Sequence, residues 1–148
     1  MARNRDIPAW AAGYIGIPFV DRGRDRKGCD CWGLKRMILA EQFGVDVPSY
    51  DDAYFSTVDP AELRRVYEEE EHSGKWIEVM RGYDKPGDER PGDVVLMRMS
   101  GQPTHVGVVI AKGVMLHTEK DVNSATANID GFTWKNRVIG IYRHRALA

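Results

Sequence analysis

Helical and extended patterning are segregated along this chain, and that order limits the folds open to it. Up to Gly74 the apolar residues recur at helical spacing; beyond it they gather in short β-rich runs. Asp6-Ile7-Pro8 is expected to start a first short helix, with Asp6 as cap and proline in the first turn. That helix would turn Trp10, Ala11 and Tyr14 inward and end at Gly16-Ile17-Pro18. A second helix is expected over residues 30–43, with Leu34, Met37, Ile38 and Phe43 on its apolar stripe and Gly44 closing it. Asp59-Pro60-Ala61-Glu62 resembles a capping box and predicts a third, burying Leu63, Val66 and Tyr67. The glutamates of residues 68–71 read as its solvated end.

After Gly74, the segments 76–79, 93–99, 105–110, 114–117 and 138–142 read as strands, punctuated by Pro86-Gly87 and Pro91-Gly92. Helices first and strands later predict an α+β fold, with N-terminal helices packed on a roughly five-stranded antiparallel sheet. The 148 residues fit one domain, 1–148, around a single core. With 43% hydrophobic and 29% charged residues the chain is expected to be folded. A net charge of −1 gives no global field for nucleic acid. No stretch is long and apolar enough for a membrane span, and no apolar stretch follows the polar start Met-Ala-Arg-Asn-Arg-Asp. Synthesis in the cytoplasm without a signal peptide is therefore expected.

The two cysteines, Cys29 and Cys31, are too close in sequence for a comfortable disulfide. Cys31 would open the second helix, with Asp30 as N-cap. Unpaired N–H groups and a partial positive charge at a helix start favour a thiolate and can hold an oxyanion. The segment by itself leaves two readings open: a nucleophile, or a small buried cysteine packed on the sheet.

Of four histidines, His72 follows the acidic run and His144 lies in a basic tail, both as surface residues. His105 opens the strand His-Val-Gly-Val-Val-Ile, and His117 closes Val-Met-Leu-His. If Ala111-Lys112-Gly113 is a three-residue hairpin loop with Gly113 left-handed, Val106, Val108 and Ile110 face one way with Val114 and Leu116. His105 and His117 then share the other face, diagonally across the pair. A two-residue loop would separate them. A cysteine, a base and an orienting polar group are the minimum for activated nucleophilic catalysis.

Three blocks in order carry a resemblance: Asp30-Cys31-Trp32-Gly33-Leu34, then Arg90-Pro91-Gly92-Asp93-Val94-Val95, then His105-Val106-Gly107-Val108-Val109. Together with Tyr14-Ile15-Gly16-Ile17-Pro18-Phe19 they resemble the NlpC family of cell-wall cysteine peptidases, across almost the whole chain. The resemblance implies a papain-like α+β core and a thiol protease cutting the γ-D-glutamyl–diaminopimelate bond of peptidoglycan stem peptides. It makes Cys31 the nucleophile, His105 the base and His117 the third residue, with Asp30 and Cys31 at the oxyanion-binding helix cap. Many members carry a tyrosine where this chain has Phe19. Arg24 and Arg26, in the basic loop of residues 22–27, and Trp32 are expected to bind the acidic stem peptide; a solvated basic turn is the other reading of that loop.

Cys-Asp-Cys before the helix and the ending Ile-Tyr-Arg-His, residues 141–144, further resemble the form found in phage tail tips and gene transfer particles. That implies tail-tip or baseplate hub proteins as partners and the virion tail tip as location, with no nucleic-acid or membrane partner. Tyr50, Tyr54 and Phe55 would serve either as docking aromatics or as cover over the core. No cofactor or metal is expected, although Cys29, Cys31, His105 and His117 could in principle form a Cys₂His₂ zinc site. Other readings are a catalytically silent tail-tip plug and an acyltransferase or amidase of the same fold.

Overall fold

The computed structural model describes residues 6–57 and 60–148. The first element is a 3₁₀ helix, Ala9–Tyr14, preceded by an extended Pro8 that makes no side-chain cap. Asp6 is therefore not the expected cap: Pro8 holds that position, because the residue before a proline, here Ile7, avoids helical backbone, and Asp6 lies beyond it at φ 60°. Ala11 and Tyr14 are buried, and Trp10 packs partly buried against the same cluster.

The stretch expected to be a plain basic loop contains a two-stranded ribbon, β1 (Arg24–Asp25) and β2 (Gly28–Cys29). Next comes α1 (Cys31–Phe43), where Asp30 is the N-cap, accepting from Gly33 N, and Gly44 closes it at φ 67°. Then α2 (Pro60–Glu71) buries Leu63, Val66 and Tyr67; the cap expected at Asp59 lies outside the described residues. Glu70 is not solvated as expected. It is buried because it lies three and four residues beyond Tyr67 and Val66 on the same face, and it accepts from Trp76 Nε1 at 2.9 Å.

Six strands follow: β3 (Trp76–Arg81), β4 (Val94–Met99), β5 (Gln102–Ala111), β6 (Val114–Glu119), β7 (Val122–Asn128) and β8 (Val138–His144). They form one antiparallel sheet in the order β3-β8-β4-β5-β6-β7. The sequence indicated five strands; β7, Val-Asn-Ser-Ala-Thr-Ala-Asn, is the addition. Its small polar residues suit an edge strand. Its outer side is covered by Ile17 and Gly16, which bond the Ser124 backbone at 3.0 and 2.8 Å.

The α1–α2 face buries Val106, Val108, Ile110 and Leu116 against the helices. On the opposite face Val95, Met97, Val109 and Met115 lie under Ile129 and Trp134. The β5–β6 hairpin turns through Lys112-Gly113, with Ala111 paired to Val114. That is one residue shorter than expected, and a shift between Val109 and Ala111 restores the pairing of Val108 with Leu116. The irregularity absorbs the odd residue, so His105 and His117 still share one face. Gly113 sits at φ 78°, and its N–H donates to the buried Glu89 carboxylate at 2.7 Å.

Candidate active site

α1 delivers Cys31 to the mouth of a cleft. Asp30 anchors that helix start from four sides. It accepts from Gly33 N, Arg22 N and Arg24 Nη1, each at 2.9 Å, and from the Tyr54 hydroxyl. Arg24 also donates to Ser49 O at 2.7 Å. Gly33 permits this closeness: a Cβ there would lie 2.1 Å from Gly23 O. The loop before β1 thus presses on the first turn of α1. Gly33 N–H is used by the cap and Leu34 N–H bonds Asp30 O, leaving the Cys31 and Trp32 N–H groups at the helix start without an intrahelical acceptor.

Cys31 and His105 line one open cleft of about 820 Å³, together with Phe19, Thr57, Pro60, Thr104 and Lys120. His105 Nε2 lies 3.1 Å from His117 Nδ1. Trp134 stacks on the His105 ring at 5.2 Å and meets the His117 ring edge-on at 4.7 Å. This fixes which nitrogen does what: with Nε2 tied to His117, Nδ1 of His105 is the one free to exchange a proton. The Cys31 thiol is engaged on its inner side, 3.2 Å from the Tyr67 hydroxyl and 3.9 Å from Thr104 O.

Burial dominates the electrostatics. It pushes the His105 pKa down to about 3, aided by His117 and Arg137, and that of His117 down to about 4. Both rings are neutral near pH 7. Burial also pushes the Cys31 thiol up, reinforced by the Asp30 carboxylate; Tyr67, the Val106 N–H and Lys35 pull it back. Cys29 is raised to about 12, chiefly by burial, and packs in the core beside Leu34 and Ile38. Among the described residues, no three His, Cys, Asp or Glu side chains gather closely enough to hold a metal. Cys29 and the histidines are not assembled into a Cys₂His₂ set.

The structure brings Cys31 and His105 to one cleft and His117 behind His105. It does not bring Arg24, Arg26 or Trp32 there. Arg24 is spent on Asp30, Ser49 and Tyr54, and Arg26 pairs with Glu41 at 2.9 Å over the Tyr14 ring. Trp32 is buried, donating to Pro48 O at 2.8 Å. Of the three aromatics in the 48–58 connection, Tyr54 is buried on Asp30 and Tyr50 packs on Trp32; Phe55 is exposed under Arg22. Sequence reasoning missed Tyr67 and Trp134 at the site. Tyr67 was legible as a buried helix position but not as a partner of the thiol, and Trp134 lies outside any periodic run.

A helix-borne cysteine and a strand-borne histidine held by a second histidine share one cleft on an α+β scaffold, the set of groups that nucleophilic cysteine chemistry requires. The NlpC/P60 family profile matches residues 16–143, and the chain belongs to that family. It is 26% identical over 141 residues to the Escherichia coli protein named murein DD-endopeptidase MepS/murein LD-carboxypeptidase, covering 93% of this chain. This chain spans 63% of the length of that curated relative. The NlpC/p60 domain of the peptidoglycan hydrolase SagA shares the fold, with a TM-score of 0.54 and 21% identity over 95% of this chain and 97% of that one. So does a Bacillus cereus NlpC/P60 protein, with a TM-score of 0.61 and 18% identity over 99% of this chain and 41% of the other.

Proposed function

We propose that this chain hydrolyses peptide bonds of bacterial peptidoglycan, with Cys31 as nucleophile and His105 as its base. The observation that carries the proposal is a capped helix start holding Cys31 in the same cleft as His105, whose far nitrogen is fixed by His117. His105 Nδ1 takes the thiol proton, and Cys31 Sγ bonds the scissile carbonyl carbon. The carbonyl electrons move onto oxygen, where the helix-start N–H groups stabilise the charge. Collapse breaks the C–N bond as His105 returns the proton to the leaving amine. Water, deprotonated by the same nitrogen, then cleaves the thioester and restores the thiol. His117 Nδ1 accepts from His105 Nε2–H throughout and holds the productive tautomer.

The bond proposed is γ-D-glutamyl–diaminopimelate within the stem peptide. The name of the E. coli relative favours a second reading, the D,D cross-link. Defined muropeptides separate them by mass: cleavage inside the stem releases a fragment beginning with diaminopimelate, whereas cross-link cleavage returns two intact stems. Muropeptides left whole would remove both. The Asp30-Cys31-Trp32-Gly33-Leu34 start and the 141–144 ending support a further proposal, that the enzyme works in a phage-like tail tip beside hub proteins. Mass spectrometry of purified particles from the source strain should detect the chain; particles free of it would reject that setting.

A further inference from the structure

We propose that Tyr67 is a catalytic residue of this site, its hydroxyl donating to Cys31 Sγ and stabilising the thiolate that attacks. The inference rests on the reading of Cys31 as nucleophile and adds a residue from α2, outside the Cys–His–His set. The contact is 3.2 Å between Sγ and the phenolic oxygen, within the range of a bond to sulfur.

The other groups around the thiol make this bond matter. Thr104 O, 3.9 Å away, can only accept; it suits a thiol and opposes a thiolate. Asp30, next in sequence and fully buried, opposes the thiolate as well. Phe19, on the cleft wall, offers no hydroxyl. Among the described residues, the Tyr67 hydroxyl and the Val106 N–H are the donors in contact with the sulfur. Burial and the neighbouring Cys31 hold the Tyr67 pKa well above its ordinary value, so the phenol keeps its proton when the thiol loses its own. The thiol proton goes to His105, the Tyr67 proton stays on oxygen, and the O–H···S⁻ bond becomes charge-assisted. The ring cannot drift: it is 5% exposed and lies at 5.1 Å and 32° against Trp32.

Tyr67→Phe keeps the ring and removes only the donor. The test is the pH dependence of Cys31 alkylation by iodoacetamide, read by peptide mass mapping in both proteins. The midpoint should rise by about one to two pH units in Tyr67→Phe, the size expected for one bond to a charged group. kcat/KM on muropeptide should fall about 10–100-fold near neutral pH with KM little changed. An unmoved midpoint would overturn the proposal, because a merely structural hydroxyl would alter stability and not thiol ionisation. Should the variant not fold, the wild-type protein labelled at tyrosine Cζ decides by NMR. The Tyr67 resonance should step at the pH where Cys31 ionises and lose that step in Cys31→Ser; a Tyr67 signal blind to Cys31 rejects the role. Alkylation needs no wall substrate, so failure to cleave peptidoglycan would strike the proposed function separately.

Discussion

At the scale of single residues, the site sets a buried thiol against two buried neutral imidazoles. A free cysteine titrates near 8.5, and burial moves this one the wrong way for nucleophilicity. In the proposed mechanism the thiolate therefore depends on local donors and on proton transfer to His105. His105→Ala is expected to lower kcat/KM by about 10²–10⁴, the range for a lost acid–base group. His117→Asn, which retains a carbonyl acceptor for His105 Nε2–H, should keep more activity than His117→Ala. Equal loss in both, with folding intact, would deny the orienting role. The same burial makes a stability prediction. The unfolded histidines protonate near 6.5, whereas the folded ones stay neutral down to about 3 and 4. Between those limits the unfolded state binds more protons, so stability is full above pH 6.5 and falls as pH drops toward 4. The melting temperature of His105→Gln/His117→Gln should decline less over that window than that of the wild type.

At the scale of elements, what positions the chemistry is a pair of close approaches. The loop before β1 seats on α1 because position 33 has no side chain. Gly33→Ala should destabilise the fold by more than the usual helix gain from alanine and disorder Cys31, measured as a lower melting temperature with lost activity. On α1, Lys35 is buried with its ammonium 3.1 Å from the centroid of the Trp32 ring, and burial pushes its pKa down to about 7. The unfolded lysine holds its proton to about 10.4, so the burial penalty is greatest below pH 7 and fades toward pH 10. Lys35→Met should raise the melting temperature most at acidic and neutral pH, and a gain that grows with pH would contradict the assignment.

The elements were also where sequence was most legible. α1, α2 and five strands follow from apolar spacing or from short apolar runs bounded by turn residues, β5 and β6 reading as runs because both of their faces are buried. β7 did not announce itself: an edge strand covered by backbone bonds to Ile17 and Gly16 needs no apolar alternation. Glu70 was misread because its neighbours in sequence are solvated while its neighbours on the helix are not. Arg24 looked like a free surface charge, since nothing local in the sequence says that Asp30, Ser49 and Tyr54 converge on it.

At the scale of the molecule, a sheet covered on both faces brings distant segments to one cleft: Cys31 from the first quarter of the chain, His105 and His117 from the last third. Order and spacing made the trio visible, and the resemblance to the family gave it roles. The inner partners, Tyr67 and Trp134, come from tertiary packing that no linear motif encodes. The most direct test of the central claim is digestion of purified peptidoglycan with wild type, Cys31→Ala and Cys29→Ala side by side, with released peptides read by mass spectrometry. Wild type and Cys29→Ala should release the same stem-peptide fragments and folded Cys31→Ala none; fragments released by Cys31→Ala at the wild-type rate would contradict the account.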